Sequence, residues 1–204
     1  MTDIIVIGGG IAGVSAAARL SAHAQVTLIE AEDALGYHAS GRSAALFEEN
    51  YGCASVVALN RASADYHTPY LTPRGFLLLG RQGEDAAFET DLADLASVEI
   101  TVDEARTRVP ILNQSITRAA YHDSARDIDT DRMIQDFAKV LRANGGRIIT
   151  GAPVTALESG ANWTLRCGND LLSAHTVVNA AGAWADEVAT LAGIKPIGIT
   201  PCRR

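Results

Sequence analysis

The chain has 204 residues, which is long enough for one good hydrophobic core or for one domain and part of another. Hydrophobic residues make up 48% and charged residues 20% of it, as in ordinary globular proteins, and the formal net charge of −7 argues against a nucleic-acid-binding surface. No apolar run is long enough to span a bilayer, and the first apolar run starts too close to Met1 to leave room for a signal peptide. We therefore expect a cytoplasmic protein, and peripheral contact with the inner membrane stays open.

The cysteines predict neither disulfides nor a metal site. Cys53, Cys167 and Cys202 are widely spaced and odd in number, and they form no C-x-x-C pair. The five histidines are equally dispersed and give no ligand spacing with a cysteine. Reduced structural thiols are the expectation, and no metal-binding residue is assigned.

The first residues predict a dinucleotide-binding βαβ unit. Residues 3–7 are predicted to form a buried parallel strand, because all of them except Asp3 are apolar and β-branched. Gly8, Gly10 and Gly13 follow in G-x-G-x-x-G spacing, and an apolar helical run comes after them. In this motif the first glycine makes the tight turn, the second lets the backbone approach a pyrophosphate, and the third lets the helix pack closely on the strand.

A second strand and an acidic residue complete this unit. Residues 25–29 are predicted to form the strand, and Glu30 follows it directly. A carboxylate at this position can accept hydrogen bonds from both hydroxyls of an adenosine ribose, whereas a 2′-phosphate would meet like charge. FAD and NAD are therefore both compatible with the motif, and NADP is disfavoured.

The middle of the chain alternates helices and short strands between glycines and prolines. Residues 36–52 are predicted to form a loop that enters a short helix near Ser40 or Ser43. The elements predicted after it are a helix at residues 54–66, a strand at 75–80, a helix at 84–97, a strand around 98–102, a helix at 103–109 and a turn at 121–126.

The last third of the chain predicts one amphipathic helix among several strands. The helix follows the DIDTD run at residues 127–131, with Thr130 as its N-cap, and its buried stripe comprises Met133, Ile134, Phe137, Ala138 and Leu141. The other predicted elements are a strand at residues 147–150, an antiparallel pair at 154–158 and 163–167, a strand at 176–180, a helix at 184–192 and a final strand at 197–200. Because nothing follows that last strand, the chain is expected to continue in its relatives.

Four segments of this chain occur in the same order in a known family. They are VIGGGIAG with Glu30, GYHASGRSAALFEENYG, DIDTD before a helix, and VVNAAGAWADEVATLAG leading to PCRR. Together they resemble the flavin-dependent D-amino-acid oxidase superfamily, in the branch of glycine oxidases and D-amino-acid dehydrogenases, and most of all D-arginine dehydrogenase-type proteins. The resemblance implies an α/β fold, with a Rossmann-like FAD-binding βαβ domain and the beginning of a mixed-sheet substrate domain. It makes the chain an N-terminal portion, with FAD-binding segments at about residues 1–50 and 130–195 and an inserted α/β segment at about 70–125.

The resemblance also implies which residues contact FAD. The glycine-rich turn would hold the pyrophosphate, Glu30 the adenosine ribose, and Val154 the adenine edge through its backbone. The segment that begins at Ser40 would pass along the ribityl chain towards the isoalloxazine, since hydroxyl and guanidinium donors suit phosphates and flavin oxygens. The full set is Gly8, Gly10, Ile11, Ala12, Gly13, Glu30, Ala31, Ser40, Gly41, Arg42, Ser43, Ala44, Val154, Ala181 and Gly182.

Substrate contacts implied by the resemblance are Leu46, Tyr51 and Phe76. The phenol of Tyr51 could bind a carboxylate, and the other two side chains would line an apolar pocket. A cationic substrate would need an acid nearby, and Glu48 and Glu49 are the close candidates. The arginine that clamps the substrate carboxylate in this family lies beyond Arg204, and no catalytic residue is assigned.

The activity implied is oxidation of the α-amine of a (D-)amino acid or a related amine by hydride transfer to flavin N5, with hydrolysis of the imine product. The electron acceptor would be a quinone or dioxygen. Two alternatives stay open: a non-catalytic nucleotide-binding fragment or subunit that needs a complementary chain or a homo-oligomer, and an NAD-dependent dehydrogenase. Turnover by these residues alone is not expected, because no carboxylate clamp is found among them.

Overall fold

The computed structural model describes residues 2–202, which divide into two compact units. The split unit comprises Met1–Ser43 and Thr130–Arg204, and the inserted unit comprises Ala44–Asp129. The helices are α1 (Ile11–Leu20), α2 (Ala54–His67), α3 (Asp85–Asp94), α4 (Val102–Arg108), α5 (Thr130–Ala143) and α6 (Ala185–Leu191). The strands are β1 (Thr2–Ile7), β2 (Val26–Ile29), β3 (Leu46–Phe47), β4 (Leu71–Pro73), β5 (Phe76–Arg81), β6 (Val98–Ile100), β7 (Ile116–His122), β8 (Arg126–Ile128), β9 (Arg147–Ile149), β10 (Val154–Glu158), β11 (Trp163–Cys167) and β12 (Asp170–Asn179).

The split unit is built on a six-stranded sheet in the order β10-β11-β12-β1-β2-β9. Its pairs β12–β1, β1–β2 and β2–β9 are parallel, and β10, β11 and β12 form an antiparallel meander. The predicted α/β class with a Rossmann-like βαβ unit is confirmed. Because parallel strands end at the same edge, the carboxyl ends of β1 and β2 lie side by side, where ligands bind in such sheets.

Apolar burial explains why these elements form. All four side chains of β2 are buried, and three of them are apolar; the carboxyl half of β1, Ile5 to Ile7, is buried and entirely apolar. Helix α1 turns Gly13, Val14, Ala17 and Ala18 inward, and it packs against α5. The buried residues of α5 are the five predicted for its stripe.

The inserted unit contains two three-stranded antiparallel sheets, in the orders β3-β8-β4 and β5-β7-β6. Helix α3 packs on β5, and α4 packs on β7. Thr101 caps α4 in a reciprocal capping box with Glu104. Helix α2, by contrast, has no buried residue.

Three local predictions in the first two thirds of the chain are wrong. Residues 36–43 form consecutive turns rather than the start of a helix, and β3 follows them. The predicted turn at 121–126 holds only for residues 123–125 and is wrong at both ends, because β7 runs to His122 and β8 begins at Arg126. Thr130 is the first residue of α5 rather than its N-cap.

The final predicted strand is also wrong. Residues 197–200 are described without strand pairing. The N–H groups of Ile197, Gly198 and Ile199 instead donate to the carboxylate of Asp186, at 3.0, 2.9 and 2.7 Å. The apolar pattern was strand-like, but a side chain elsewhere in the fold takes the hydrogen bonds that a neighbouring strand would need. Within residues 2–202, no helix combines the length and apolar character needed to cross a membrane.

Candidate cofactor site

The three motif glycines differ in the space beside them. A Cβ at Gly8, where φ is +111°, would collide with the carbonyl of Ala180, and one at Gly13 would collide with the carbonyl of Gly8. Chain packing therefore requires glycine at both positions. At Gly10 a Cβ would meet only the hydroxyl of Ser40, at 3.2 Å, so the approach to this backbone is open. A pyrophosphate needs that open approach at the middle glycine, and the turn fits the group.

The N-terminus of α1 faces the same open space. Its first turn carries no acidic residue, so no side-chain charge offsets the positive end of the helix dipole. The N–H of Ile11 donates to Ser40 Oγ at 3.0 Å, which brings a residue from the loop at 36–43 to the helix end. Ala12, the next residue, is exposed. This end of α1 offers N–H donors and a favourable field to an anion.

Glu30 is held beside the glycine turn by backbone donors. Its Oε2 accepts from the N–H of Gly9 at 2.5 Å, and its Oε1 accepts from the N–H of Glu32 at 2.9 Å. Each carboxylate oxygen keeps acceptor capacity after one such bond. The half-buried Glu30 can therefore still receive two ribose hydroxyls.

The loop at residues 36–43 is attached to the glycine turn at its start. The N–H of Gly36 donates to the carbonyl of Gly9 at 3.0 Å. Further along, Arg42 Nε donates to the carbonyl of Tyr37 at 3.1 Å, and the guanidinium carbon lies 5.1 Å from the centre of the Tyr37 ring. Gly41 is needed here because a Cβ would collide with the carbonyl of Gly36.

Two connections from the second half of the chain reach the same edge of the sheet. The N–H of Ala152, two residues before Val154, donates to the carbonyl of Glu30 at 3.0 Å. Ala181 directly follows Ala180, the residue against which Gly8 packs, and Gly182 has a φ of +55°. Of the predicted cofactor residues, only Ala44 belongs to the inserted unit, where its carbonyl accepts from Arg74 Nη1 at 2.9 Å.

The three predicted substrate residues all lie in the inserted unit. Leu46 and Phe76 are half-buried in β3 and β5, and Tyr51 is 59% exposed. Glu48, named as an acid for a cationic substrate, is buried, and its Oε2 lies 2.9 Å from Nε2 of the equally enclosed His122. Its Oε1 accepts from the N–H of Asn50 at 3.0 Å. Glu48 is therefore committed to the fold, and Glu49 is the exposed acid of the pair.

Sequence reasoning missed His122 in the inserted unit and two residues, His38 and Trp184, in the split unit. His38 and Trp184 contact each other with ring centres 4.5 Å apart, although they are far apart in the chain. Only the position of His38 in the loop that carries Ser40 and Arg42 hinted at a role. His122 was missed because its strand was interpreted as a turn. Among the described residues, no group of three or more His, Cys, Asp or Glu side chains could hold a metal ion.

Comparisons with known proteins agree with this geometry. The family model described as "DAO: FAD dependent oxidoreductase" matches residues 3–204. The chain is 25% identical to hydrogen cyanide synthase subunit HcnC of Pseudomonas aeruginosa, covering 98% of this chain and 62% of that protein. It is 26% identical to L-2-hydroxyglutarate dehydrogenase of Escherichia coli, covering 96% of this chain and 51% of that protein. Glycine oxidase from Geobacillus kaustophilus superposes with a TM-score of 0.77 at 20% identity, covering 94% and 58% of the two chains.

This chain belongs to the DAO family of FAD-dependent oxidoreductases. The match confirms the predicted family and FAD as its cofactor, and it decides against the NAD-dependent alternative. The chain spans only 51% to 62% of the length of these two curated relatives. The narrower resemblance to D-arginine dehydrogenases stays a prediction.

Proposed function

We propose that the split unit binds FAD at the carboxyl ends of β1 and β2, and that the chain is the cofactor-binding part of an enzyme that oxidises the α-amine of an amino acid or a related amine. The observation that carries the FAD site is the contrast among the motif glycines. Chain packing fills the space at Gly8 and Gly13, whereas the space at Gly10 is open to a ligand. Glycine is thus required by chain packing at Gly8 and Gly13, and by ligand binding at Gly10.

The proposed contacts follow the sheet edge. The backbone N–H of Ala12 holds the pyrophosphate at the α1 N-terminus, next to the Ile11 N–H that donates to Ser40 Oγ. Glu30 accepts the ribose hydroxyls; this is supported by its two carboxylate oxygens, each of which is held by one backbone N–H. The other proposed cofactor contacts are Ala31, Ser40, Gly41, Arg42, Ser43, Ala44, Val154, Ala181 and Gly182.

FAD, when bound, supplies the hydride acceptor for the substrate α-carbon. The residues of this chain bind and orient, and none is assigned a proton-transfer role. Leu46 and Phe76 are apolar, and the carboxylate of Glu48 is occupied by His122. We therefore propose a substrate with an uncharged side chain, in preference to a basic amino acid.

The names of the similar proteins define what must be assayed. Glycine oxidase acts, by its name, on an amino acid, and L-2-hydroxyglutarate dehydrogenase on a 2-hydroxy acid. Both substrates carry a hydrogen on a carbon next to a carboxylate, so one binding geometry serves either class. HcnC is by its name a synthase subunit, which supports the alternative that this chain works only with a partner.

The experiment that tests FAD binding is a titration of the purified 204-residue chain with FAD, followed by flavin absorbance and fluorescence. Gly10→Val should abolish binding, because its side chain would occupy the open space, while Gly160→Val should leave binding intact. Gly160 lies in the β10–β11 turn, where the nearest atom to a Cβ is at 3.4 Å. Unaltered FAD binding by Gly10→Val would show that the pyrophosphate lies elsewhere.

Turnover is measured separately, with an artificial electron acceptor and a panel of D- and L-amino acids, glycine, L-proline and L-2-hydroxyglutarate. FAD binding without turnover by the chain alone, and turnover on addition of a partner, would support the subunit alternative. Oxidation of the hydroxy acid but of no amine would overturn the amine proposal.

A further inference from the structure

The loop at residues 36–43 has to be held in place by its side chains. It consists of turns, and most of its residues are exposed or half-buried. Backbone contacts attach its beginning to Gly9 and close the loop on itself through Arg42 N–H and the carbonyl of His38, at 3.0 Å. Ser40 lies at the middle of this loop, and its hydroxyl accepts from the Ile11 N–H.

His38 links this loop to two other segments. Its Nε2 lies 2.8 Å from Oε1 of Glu32, whose own N–H donates to Glu30. Its ring lies 4.5 Å from the ring of Trp184, at an interplanar angle of 50°. The imidazole is thus hydrogen-bonded on one side and in contact with a tilted indole ring on the other, although only part of it is buried.

Trp184 closes the short 3-10 turn Gly182–Trp184 that leads from β12 to α6. It is 42% exposed, so the core does not account for its position. Its recorded aromatic partner is His38. The pair therefore connects the turn that follows Ala181 with the loop that carries Ser40.

The charged and titratable groups that the structure records around His38 are few. They are the carboxylate of Glu32, the phenol of Tyr37, whose ring centre is 5.1 Å from that of His38, and the Arg42 guanidinium over the Tyr37 ring. Among the described residues a single carboxylate, that of Glu32, contacts the imidazole directly, so this hydrogen bond is charge-assisted.

We propose that His38 is a positioning residue for FAD binding, since it joins Glu32 and Trp184 and thereby holds Ser40 against the N-terminus of α1. This inference rests on the proposed FAD site. His38 itself need not contact the cofactor. It acts by keeping the loop in the arrangement that leaves the approach to Gly10 open.

The contact itself is tested in the absence of FAD by the fluorescence of Trp184. Removing a ring that contacts an indole changes the surroundings of that indole, so the emission of Trp184 should change in His38→Ala. The same substitution should have no effect on emission in a Trp184→Phe background, where Trp163 is the remaining tryptophan. His23→Ala, which alters an exposed histidine just after α1, should leave the emission unchanged.

The positioning role is tested by FAD titration of the same variants. His38→Ala should weaken FAD binding by about tenfold, as expected for loss of a charge-assisted hydrogen bond, and His23→Ala should not. His38→Gln, which can still bond to Glu32, should recover most of the affinity. It also replaces His38→Ala in the comparison if that variant does not fold.

Each outcome has one meaning. Wild-type affinity in a folded His38→Ala would overturn the positioning role, as would a His38→Gln variant no better than His38→Ala. Trp184 emission that does not change in His38→Ala would overturn the contact. Failure of the wild-type chain to bind FAD would instead overturn the proposed function, while the emission of the FAD-free protein would still report whether His38 and Trp184 are in contact.

Discussion

The two units bury different kinds of side chain. Large aliphatic residues are fully buried in the split unit, among them Ile5, Leu28, Ile29, Leu141 and Leu165. The buried residues of the inserted unit are mostly alanines, with Phe88 and Ile116 as the largest apolar members, and they include the carboxylate of Glu48. Apolar packing thus holds the split unit and leaves its polar groups at the strand ends for a ligand. The inserted unit uses a polar pair for its own cohesion.

The largest contrast is expected for leucines in the two units. Leu28→Ala removes a side chain with 0% exposure from the middle of the parallel sheet and should lower the free energy of unfolding by about 2–5 kcal/mol. Leu59→Ala on α2, where the side chain is 67% exposed, should change it by about 0.5 kcal/mol or less. Denaturant unfolding of both variants measures the difference. Similar losses would mean that the inserted unit is packed as tightly as the split unit.

The second-largest loss of stability is expected when one member of the Glu48–His122 pair is removed. Glu48→Ala leaves His122 enclosed without its partner and should cost about 3 kcal/mol of stability. The control is Glu49→Ala, at the exposed neighbouring residue, which should leave the free energy of unfolding nearly unchanged. A double variant, Glu48→Ala with His122→Ala, should lose less than the two single losses combined. Additive losses would show that the two residues stabilise the unit independently.

A carboxylate in the split unit should behave in the opposite way. Glu30→Ala should weaken FAD binding by roughly 1.5–3 kcal/mol, because charge-assisted hydrogen bonds to the ribose are lost, and it should lower stability far less than Glu48→Ala does. Isothermal titration with FAD and thermal unfolding give the two quantities. Unchanged FAD affinity would remove Glu30 from the cofactor site.

The smallest expected effect is the pH-dependent release of residues 197–199 from Asp186. Desolvation raises the pKa of Asp186, but the N–H groups of Ile197, Ile199 and Gly198 together outweigh it, and the pKa lies below its ordinary value. The carboxylate therefore holds this segment above the ordinary aspartate pKa of about 3.9 and releases it as the pH falls through the lowered value. Amide NMR shifts of residues 197–199 should move in that acidic range. They should be displaced at neutral pH in Asp186→Asn and unchanged in Glu187→Gln.

The sequence predicted those elements whose hydrogen-bond partners and buried side chains lie close together along the chain. The stripe of α5 was found because Met133, Ile134, Phe137, Ala138 and Leu141 recur at the helical period. The pair β10 and β11 was found because polar turn residues separate two short strands. Strand β7 was not found, since its buried members include the small residues Ala119 and Ala120 and its partners β5 and β6 are separated from it in sequence.

The family, the glycine turn and the acid after β2 could be predicted from the sequence, because they depend on residue types at set spacings along one βαβ unit. Which groups are already hydrogen-bonded became clear from the three-dimensional structure. It assigned Glu48 to His122, the N–H groups of residues 197–199 to Asp186, and His38 to Glu32 and Trp184. The sequence does not show which partner a hydrogen-bond donor or acceptor has. Distant residues come into contact through the packing of whole elements, and no local pattern predicts that packing.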